Sequence, residues 1–199
     1  EDLLIKFALS NTSTQGALKN LKAEVPHWDF DQVRIETGAK WNEALSRIDI
    51  EPIKESDMTT FYTAMYHTCL APVIYEDVDG QYRGLDQNIH SSDDFTNYTI
   101  FSLWDTYRAQ HPLLNITQPE RNNDMIKSML AHQEQSVHGM LPIWSHYANE
   151  NWCMIGYHAT SVIADAIAKG IGDFDREKAL DACVETATVP YFEGLGPYM

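Results

Sequence analysis

Between positions 144 and 158 the chain gathers a carboxylate, a thiol and imidazoles among aromatic rings, in the run Asn149-Glu150-Asn151-Trp152-Cys153-Met154-Ile155-Gly156-Tyr157-His158. Glu150 is the residue there with a use for proton chemistry. With Trp144, Tyr147 and Trp152 close in sequence, an apolar pocket would disfavour its charged form, raise its pKa and let it donate a proton near neutrality. A second reading opposes the first. Ile155, Ala159, Val162, Ile163, Ala166 and Ile167 recur at helical spacing, so a buried helix is expected to start after Met154, with Asn149 or Asn151 as its N-cap. Glu150 then sits at a loop-to-helix junction, where the macrodipole keeps a carboxylate charged and the residue merely completes a cap. Burial decides between the two.

The second group lies at Phe101, Trp104, Asp105 and Arg108, which share one stripe of a helix expected from Asn97 to about His111-Pro112. Asp105 and Arg108 can form an i,i+3 ion pair. Alternatively they line a cleft, where an Asp accepts hydrogen bonds from substrate hydroxyls and Trp104 offers an apolar face, the two kinds of contact that a sugar needs. A third group, Asp77, Asp79 and Asp86 around Gly80, falls at the third, fifth and twelfth positions of a calcium loop. Tyr75 stands where the first ligand belongs and Asp86 where a bidentate Glu belongs, so Asp79-Gly80 reads better as the turn of a β-hairpin. No protein-ligated metal is expected within the chain. His132 and His138 have no carboxylate at metal spacing and read as ordinary core or surface histidines.

The elements that must position these groups are mostly helices. Leu3 to Leu9 suggests a short strand and Gln15 to Glu24 a helix; Trp41, Leu45 and Ile48 mark another that ends near Pro52. Ser56 is expected to cap a helix whose Met58, Phe61, Tyr62, Met65, Tyr66 and Cys69 follow i, i+3, i+4, i+7, i+8, i+11, with Pro72 as its stop. Gln118 to Val137 carries Ile126, Met129, Leu130 and Val137 inward. Gly170 looks like a C′ glycine, and Asp175 opens a last helix through Thr188. The count of six or seven helices, joined by loops of several residues, fits stacked helical hairpins.

Composition excludes some functions. At 199 residues and 44% hydrophobic content the chain can bury one sizeable core. With 29 acidic against 14 basic residues, a net charge of −15 and no Lys/Arg cluster, the footprint of a nucleic-acid binder is missing. No run of 18 apolar residues offers a membrane span. Cys69, Cys153 and Cys183 lie far apart without CxxC spacing, so no disulfide or zinc framework is visible. The N-terminus shows no signal segment, and the sequons at Asn11, Asn97 and Asn115 are too short to carry weight.

Three long segments carry a resemblance: Phe101-Ser-Leu-Trp-Asp-Thr-Tyr-Arg108 with His111-Pro112-Leu113, then Gly139-Met-Leu-Pro142-Ile-Trp144, then Glu150 to His158 with Ile163-Ala-Asp165-Ala166. With Phe61 to His67 and Asp77-Val-Asp-Gly80 in the same order, the chain resembles glycoside hydrolase family 92, calcium-dependent α-mannosidases. The resemblance implies a mainly α fold, the first part of an (α/α)6 toroid with a short N-terminal strand and a β-hairpin insertion. Residues 1–10 would be a remnant strand or linker from a preceding β-sandwich. It further implies an inverting exo-α-mannosidase acting on terminal α-linked mannose of mannans or N-glycans, with Glu150 as general acid and Trp104 and Asp105 contacting the terminal mannose. The paired aspartates acting as base and the calcium ligands are expected in a later family segment, outside this chain. The implied parent is monomeric and secreted or periplasmic, and the chain alone is expected to be inactive. The alternative is a non-catalytic carbohydrate-binding or structural helical-toroid module.

Overall fold

The α6 helix (Pro119–Gln135) is the axis of the packing in this computed structural model, which describes residues 3–189. Pro119 suits the first turn, where its missing N–H costs nothing. Beyond it, Met125, Ile126, Met129 and Leu130 form an apolar stripe and are all buried. Around that stripe lie α5 (Gln110–Thr117), α7 (Ala159–Ala168) and α8 (Arg176–Thr188), which contribute Leu114, Val162, Ile163, Ala166, Ala179 and Ala182 to one core with Phe101, Leu103 and Leu141. Each fully buried Leu, Ile or Met here stabilises by roughly 1.5–3 kcal/mol. The alanines on α7 and α8 let the helices approach closely. Val137 differs from expectation: α6 ends at Gln135, so this residue is 85% exposed.

A directional polar chain crosses the same core. His111 Nδ1 lies 2.7 Å from Asn122 Oδ1, Asn122 Nδ2 donates to Asn115 Oδ1 at 2.5 Å, and Asn115 Nδ2 donates to Asp165 Oδ2 at 2.9 Å. Because each amide oxygen accepts and each amide nitrogen donates, the chain specifies the Nδ1–H tautomer of His111. It ties α5, α6 and α7 in one register, and burial holds the His111 pKa down. The sequons at Asn97 and Asn115 are therefore interior positions, since both side chains are buried.

Termini of the helices follow their caps. Asp175 accepts from the N–H groups of Glu177 and Lys178 to open α8. Gly170, with φ +78°, closes α7 by the 6→1 and 5→2 bonds Ile171 N–H to Ala166 O, 2.9 Å, and Gly170 N–H to Ile167 O, 3.1 Å. Toward the N-terminus, α1 (Thr14–Glu24) is capped by Ser13 and α2 (Phe30–Leu45) by Asp29. In α3 (Glu55–Thr68) the cap position is Lys54, with Asp57 accepting its backbone N–H, and not Ser56. These first helices are thinly packed: α2 buries no residue and α3 only Met65, although its apolar periodicity is the clearest in the chain. Residues 3–9 form no strand either. An isolated extended segment has no ladder partner, and Leu3, Ile5, Phe7 and Leu9 stay exposed.

Three short antiparallel pairs complete the architecture. β1 (Val73–Ile74) pairs with β4 (Tyr98–Thr99), β2 (Gln81–Arg83) with β3 (Ile89–Ser91), and β5 (Ser145–His146) with β6 (Asn149–Glu150). The Asp79-Gly80 turn forms, closed by Gly80 N–H to Asp77 O at 2.8 Å, yet it is not the hairpin's own turn. The hairpin arms are β2 and β3, and they turn at Gly84 to Asn88. Asn97 does not start a helix, since Tyr98 and Thr99 belong to β4 and only one turn, α4 (Leu103–Thr106), follows before α5.

Asp77 pins the N-terminal helix to the rest. Its buried carboxylate accepts from Ser10 Oγ at 2.8 Å, Asn20 Nδ2 at 2.8 Å and Thr12 Oγ1. Gly16 of α1 packs directly on it, and a Cβ there would fall on Asp77 Oδ2 and within 2.7 Å of Ser10 Oγ. Gly38, in the middle of α2, has nothing within 4 Å of such a Cβ. The two glycines are thus expected to respond oppositely to alanine. Gly38→Ala should stabilise by roughly 0.5–1 kcal/mol through helix propensity, whereas overpacking of about 1–3 kcal/mol outweighs that gain in Gly16→Ala. Urea midpoints of the two variants check the signs, and a stabilised Gly16→Ala would contradict the packing described.

Candidate active site

Glu150 lies on β6 and not in the first turn of a helix. The stretch after it cannot be helical, because Trp152 (φ 53°), Met154 (φ 68°) and Gly156 (φ 86°) all take left-handed backbone conformations. α7 starts only at Ala159, with His158 at the cap, and Ile155 is exposed. Neither Asn149 nor Asn151 caps it. The macrodipole of α7 therefore does not reach Glu150, whose influence falls off within one turn.

Local backbone geometry replaces it. Glu150 Oε2 accepts from Ile143 N–H at 3.0 Å, and Oε1 accepts from Trp144 N–H at 2.8 Å and Trp152 N–H at 3.1 Å. Burial pushes the Glu150 carboxyl above its ordinary value, and the backbone N–H groups around it pull the other way without cancelling the rise.

The hairpin that carries Glu150 is strained. Its two-residue turn is Tyr147 (φ 50°) and Ala148 (φ 60°), both left-handed, where Asn-Gly would be the usual choice. Surrounding bonds hold it: Tyr147 N–H donates to Thr99 Oγ1 at 2.8 Å, and Gln87 Nε2 donates to Ala148 O at 2.7 Å. At the base of the hairpin, Ser145 O accepts from Phe101 N–H at 3.0 Å, and Ser145 Oγ lies 3.1 Å from His132 Nδ1. These anchors were not legible in the sequence. Backbone donors carry no residue signature, and a turn without Gly or Asn gives no turn signal.

Trp104 and Asp105 ride on α4, whose entry is bonded to the strand in front of Glu150 through Phe101 N–H to Ser145 O and Leu103 N–H to Ile143 O, 3.4 Å. Asp105 is exposed and accepts from Ser102 Oγ. Arg108 does not form the i,i+3 ion pair with it; its guanidinium lies over the Trp104 ring at 4.7 Å and the Tyr107 ring at 5.0 Å. Tyr107 in turn stacks parallel on His158, with centroids 4.2 Å apart. Delocalised charge on aromatic faces is favourable, and among the described residues Asp105 has no ion-pair partner. Asp105 lines a recess with Thr68, Thr106, Ala109, Gln110 and Leu113. Glu150 is not part of that recess, so the described residues place the two carboxylates on adjoining segments without enclosing both in one cavity.

Asp77, Asp79 and Asp86 do not converge. Asp77 binds Ser10, Thr12 and Asn20; Asp79 pairs with Lys19; and Asp86 holds His90 Nε2 at 2.9 Å and Asn88. Calcium does not fit here, and among the described residues no group of three or more His, Cys, Asp or Glu side chains could hold a metal. His132 is a core residue, buried beside Phe101. No helix among the described residues is long and apolar enough to cross a membrane.

Comparison with known proteins identifies the family to which this helical fold belongs. The model of the glycosyl hydrolase family 92 catalytic domain matches residues 16–197. The family GH92 α-mannosidase BT3965 of Bacteroides thetaiotaomicron is 49% identical, with a TM-score of 0.89 over 95% of this chain and 25% of that one; it has also been solved with mannoimidazole. The family GH92 inverting mannosidase BT2199 of the same organism is 30% identical, with a TM-score of 0.86 over 94% of this chain and 25% of that one. No curated protein matches. The chain belongs to glycosyl hydrolase family 92, and its helices are part of that family's helical toroid. It spans about a quarter of the length of these solved relatives.

The buried His132 gives the fold a pH dependence of definite sign. Burial lowers its pKa from 6.5 to about 4, so below pH 6.5 the unfolded chain binds a proton that the folded chain refuses. Stability is therefore full above about pH 6.5 and declines as pH falls toward 4, by about 3 kcal/mol for the shift of roughly 2.5 units. Denaturant titrations at pH 7.5 and 4.5 should show this loss, and His132→Asn should reduce it.

Proposed function

We propose that this chain is the first part of the catalytic toroid of a longer exo-acting α-mannosidase, which releases terminal α-linked mannose with inversion, and that Glu150 is its general acid. The observation that carries the reading is the Glu150 carboxyl itself: partly buried, raised in pKa and fixed by backbone donors on a strained hairpin. Strain that the surroundings must hold in place is characteristic of functional sites.

The two opposing influences on Glu150 then have separate tasks. Burial shifts the free carboxyl toward its protonated form. Oε2, with one N–H partner against two on Oε1, is the oxygen better placed to carry it to the glycosidic oxygen. As the proton leaves, charge develops on the carboxylate, and the waiting N–H groups of Ile143, Trp144 and Trp152 bind that charge more strongly than the neutral acid. They favour the transition state over the ground state, the requirement for a rate gain.

Asp105 is assigned to the hydroxyls of the terminal mannose and Trp104 to its apolar face. The solved complex of the 49% identical relative with mannoimidazole supports a mannose-type ligand. Inversion needs a second carboxyl group about 6.5–9.5 Å from the first to activate water, and we place that base in a segment outside these residues, with Asp105 as the alternative. Calcium is assigned to the longer protein, with ligands outside the described residues, and no step above passes through it. Residues 1–10 are read as the link from a preceding β-sandwich, and the longer protein as a monomer, secreted or periplasmic.

Two measurements test this. In the complete enzyme, Glu150→Gln should lower kcat by roughly 10²–10⁴-fold while mannose binding persists, and should abolish the loss of activity with rising pH that reports the acid. Unchanged turnover would favour a non-catalytic carbohydrate-binding module. Separately, the purified 199-residue chain should release no mannose from α-linked manno-oligosaccharides, with calcium or with a chelator. Calcium-dependent release would move the base to Asp105.

A further inference from the structure

The hairpin that carries Glu150 does not hold itself. Its turn residues Tyr147 and Ala148 both have positive φ, at about 1–2 kcal/mol each for a residue with a Cβ, so external contacts must fix it. Thr99 and Gln87 secure the turn. The base is secured at Ser145, the residue directly opposite Glu150 in the antiparallel register.

Ser145 is fully buried and gripped from two sides. Phe101 donates its backbone N–H to Ser145 O at 3.0 Å, while His132 Nδ1 lies 3.1 Å from Ser145 Oγ. His132 and Phe101 also meet edge to face, with centroids 5.6 Å apart. His132 belongs to α6, the most deeply packed helix, so its ring links the rigid core to the strand. That strand follows directly on Ile143 and Trp144, whose N–H groups hold both oxygens of Glu150. A shift of Ser145 therefore moves the acid and its donors together.

We propose that His132 is a positioning residue for Glu150, acting through the Oγ of Ser145 to set the hairpin against the α6 core. This rests on the reading of Glu150 as the acid. His132 touches no reacting atom; its contribution is the placement of one that does. Because misplacement by about 1 Å costs up to about 10² in rate, the effect should appear in kcat and not in substrate binding.

The test uses the complete mannosidase with Ser145→Ala, His132→Leu and His132→Asn, each alone and combined with Glu150→Gln. Asn retains a side-chain polar atom near the position of Nδ1. Ser145→Ala and His132→Leu should lower kcat by roughly 10- to 10²-fold with KM changed by less than about twofold, and His132→Asn should restore most of the loss. On the Glu150→Gln background neither should lower the residual rate further, since groups that act as a unit are not additive. A folded Ser145→Ala enzyme with unchanged kcat overturns the proposal, as do losses that multiply with Glu150→Gln. Thermal melts establish folding, and if His132→Leu does not fold, Ser145→Ala and His132→Asn decide. Full activity in Glu150→Gln alone would instead overturn the acid assignment.

Discussion

The carboxylate of Glu150, seated on the N–H groups of its own hairpin, is the interaction around which the site is arranged. A buried carboxyl group without such donors would carry an uncompensated desolvation cost whenever it ionised. One with donors but no burial would be held below the range of an ordinary surface glutamate and would not keep a proton to give. Here both are present and burial wins, which leaves the group protonated more readily than an exposed Glu yet able to bear a charge transiently. The surrounding fold makes this possible by forcing Tyr147 and Ala148 into a turn that their side chains disfavour.

Thr99 and Gln87 hold that turn, and the better packed half of the molecule holds the base of the hairpin. The α5–α8 core and its polar chain from His111 to Asp165 specify one register among the helices. The bonded links of such a network rigidify what they cross, while His111 Nε2 has no partner among the described residues. α4 is bonded to β5 by backbone, and β5 to α6 by His132, so the segment holding Trp104 and Asp105 and the segment holding Glu150 share a frame.

The N-terminal helices are a contrast. α1 is tied to the β2 and β3 region by Asp77 and by Lys19 with Asp79, largely through polar bonds. α2 and α3 meet each other through pairs such as Trp41 and Tyr66, 4.7 Å between centroids, and leave Phe30, Ile35 and Met58 exposed. Exposed apolar residues on neighbouring helices mark surfaces suited to further packing.

Residue order alone determined the helices wherever an apolar stripe coincided with a cap. α1, α6 and α8 begin within a residue or two of expectation, and Gly170 closes α7 as its position implied. The segments around Trp104, Asp105 and Glu150 likewise sufficed to identify the family, because long strings of specific side chains survive in sequence whatever their conformation. Placement of those side chains was a tertiary matter. Periodicity from Ile155 onward pointed to a helix at Glu150, but it cannot register the positive φ at Trp152 and Met154. The same limit hid the pairing of Tyr98 and Thr99 with β1 and left Arg108 free, on paper, to choose Asp105 over the Trp104 ring. Local pattern reports which face of an element is apolar. Which backbone donors face a carboxyl group depends on local φ and ψ that side-chain types do not encode, and whether the group is dry depends on the packed structure around it.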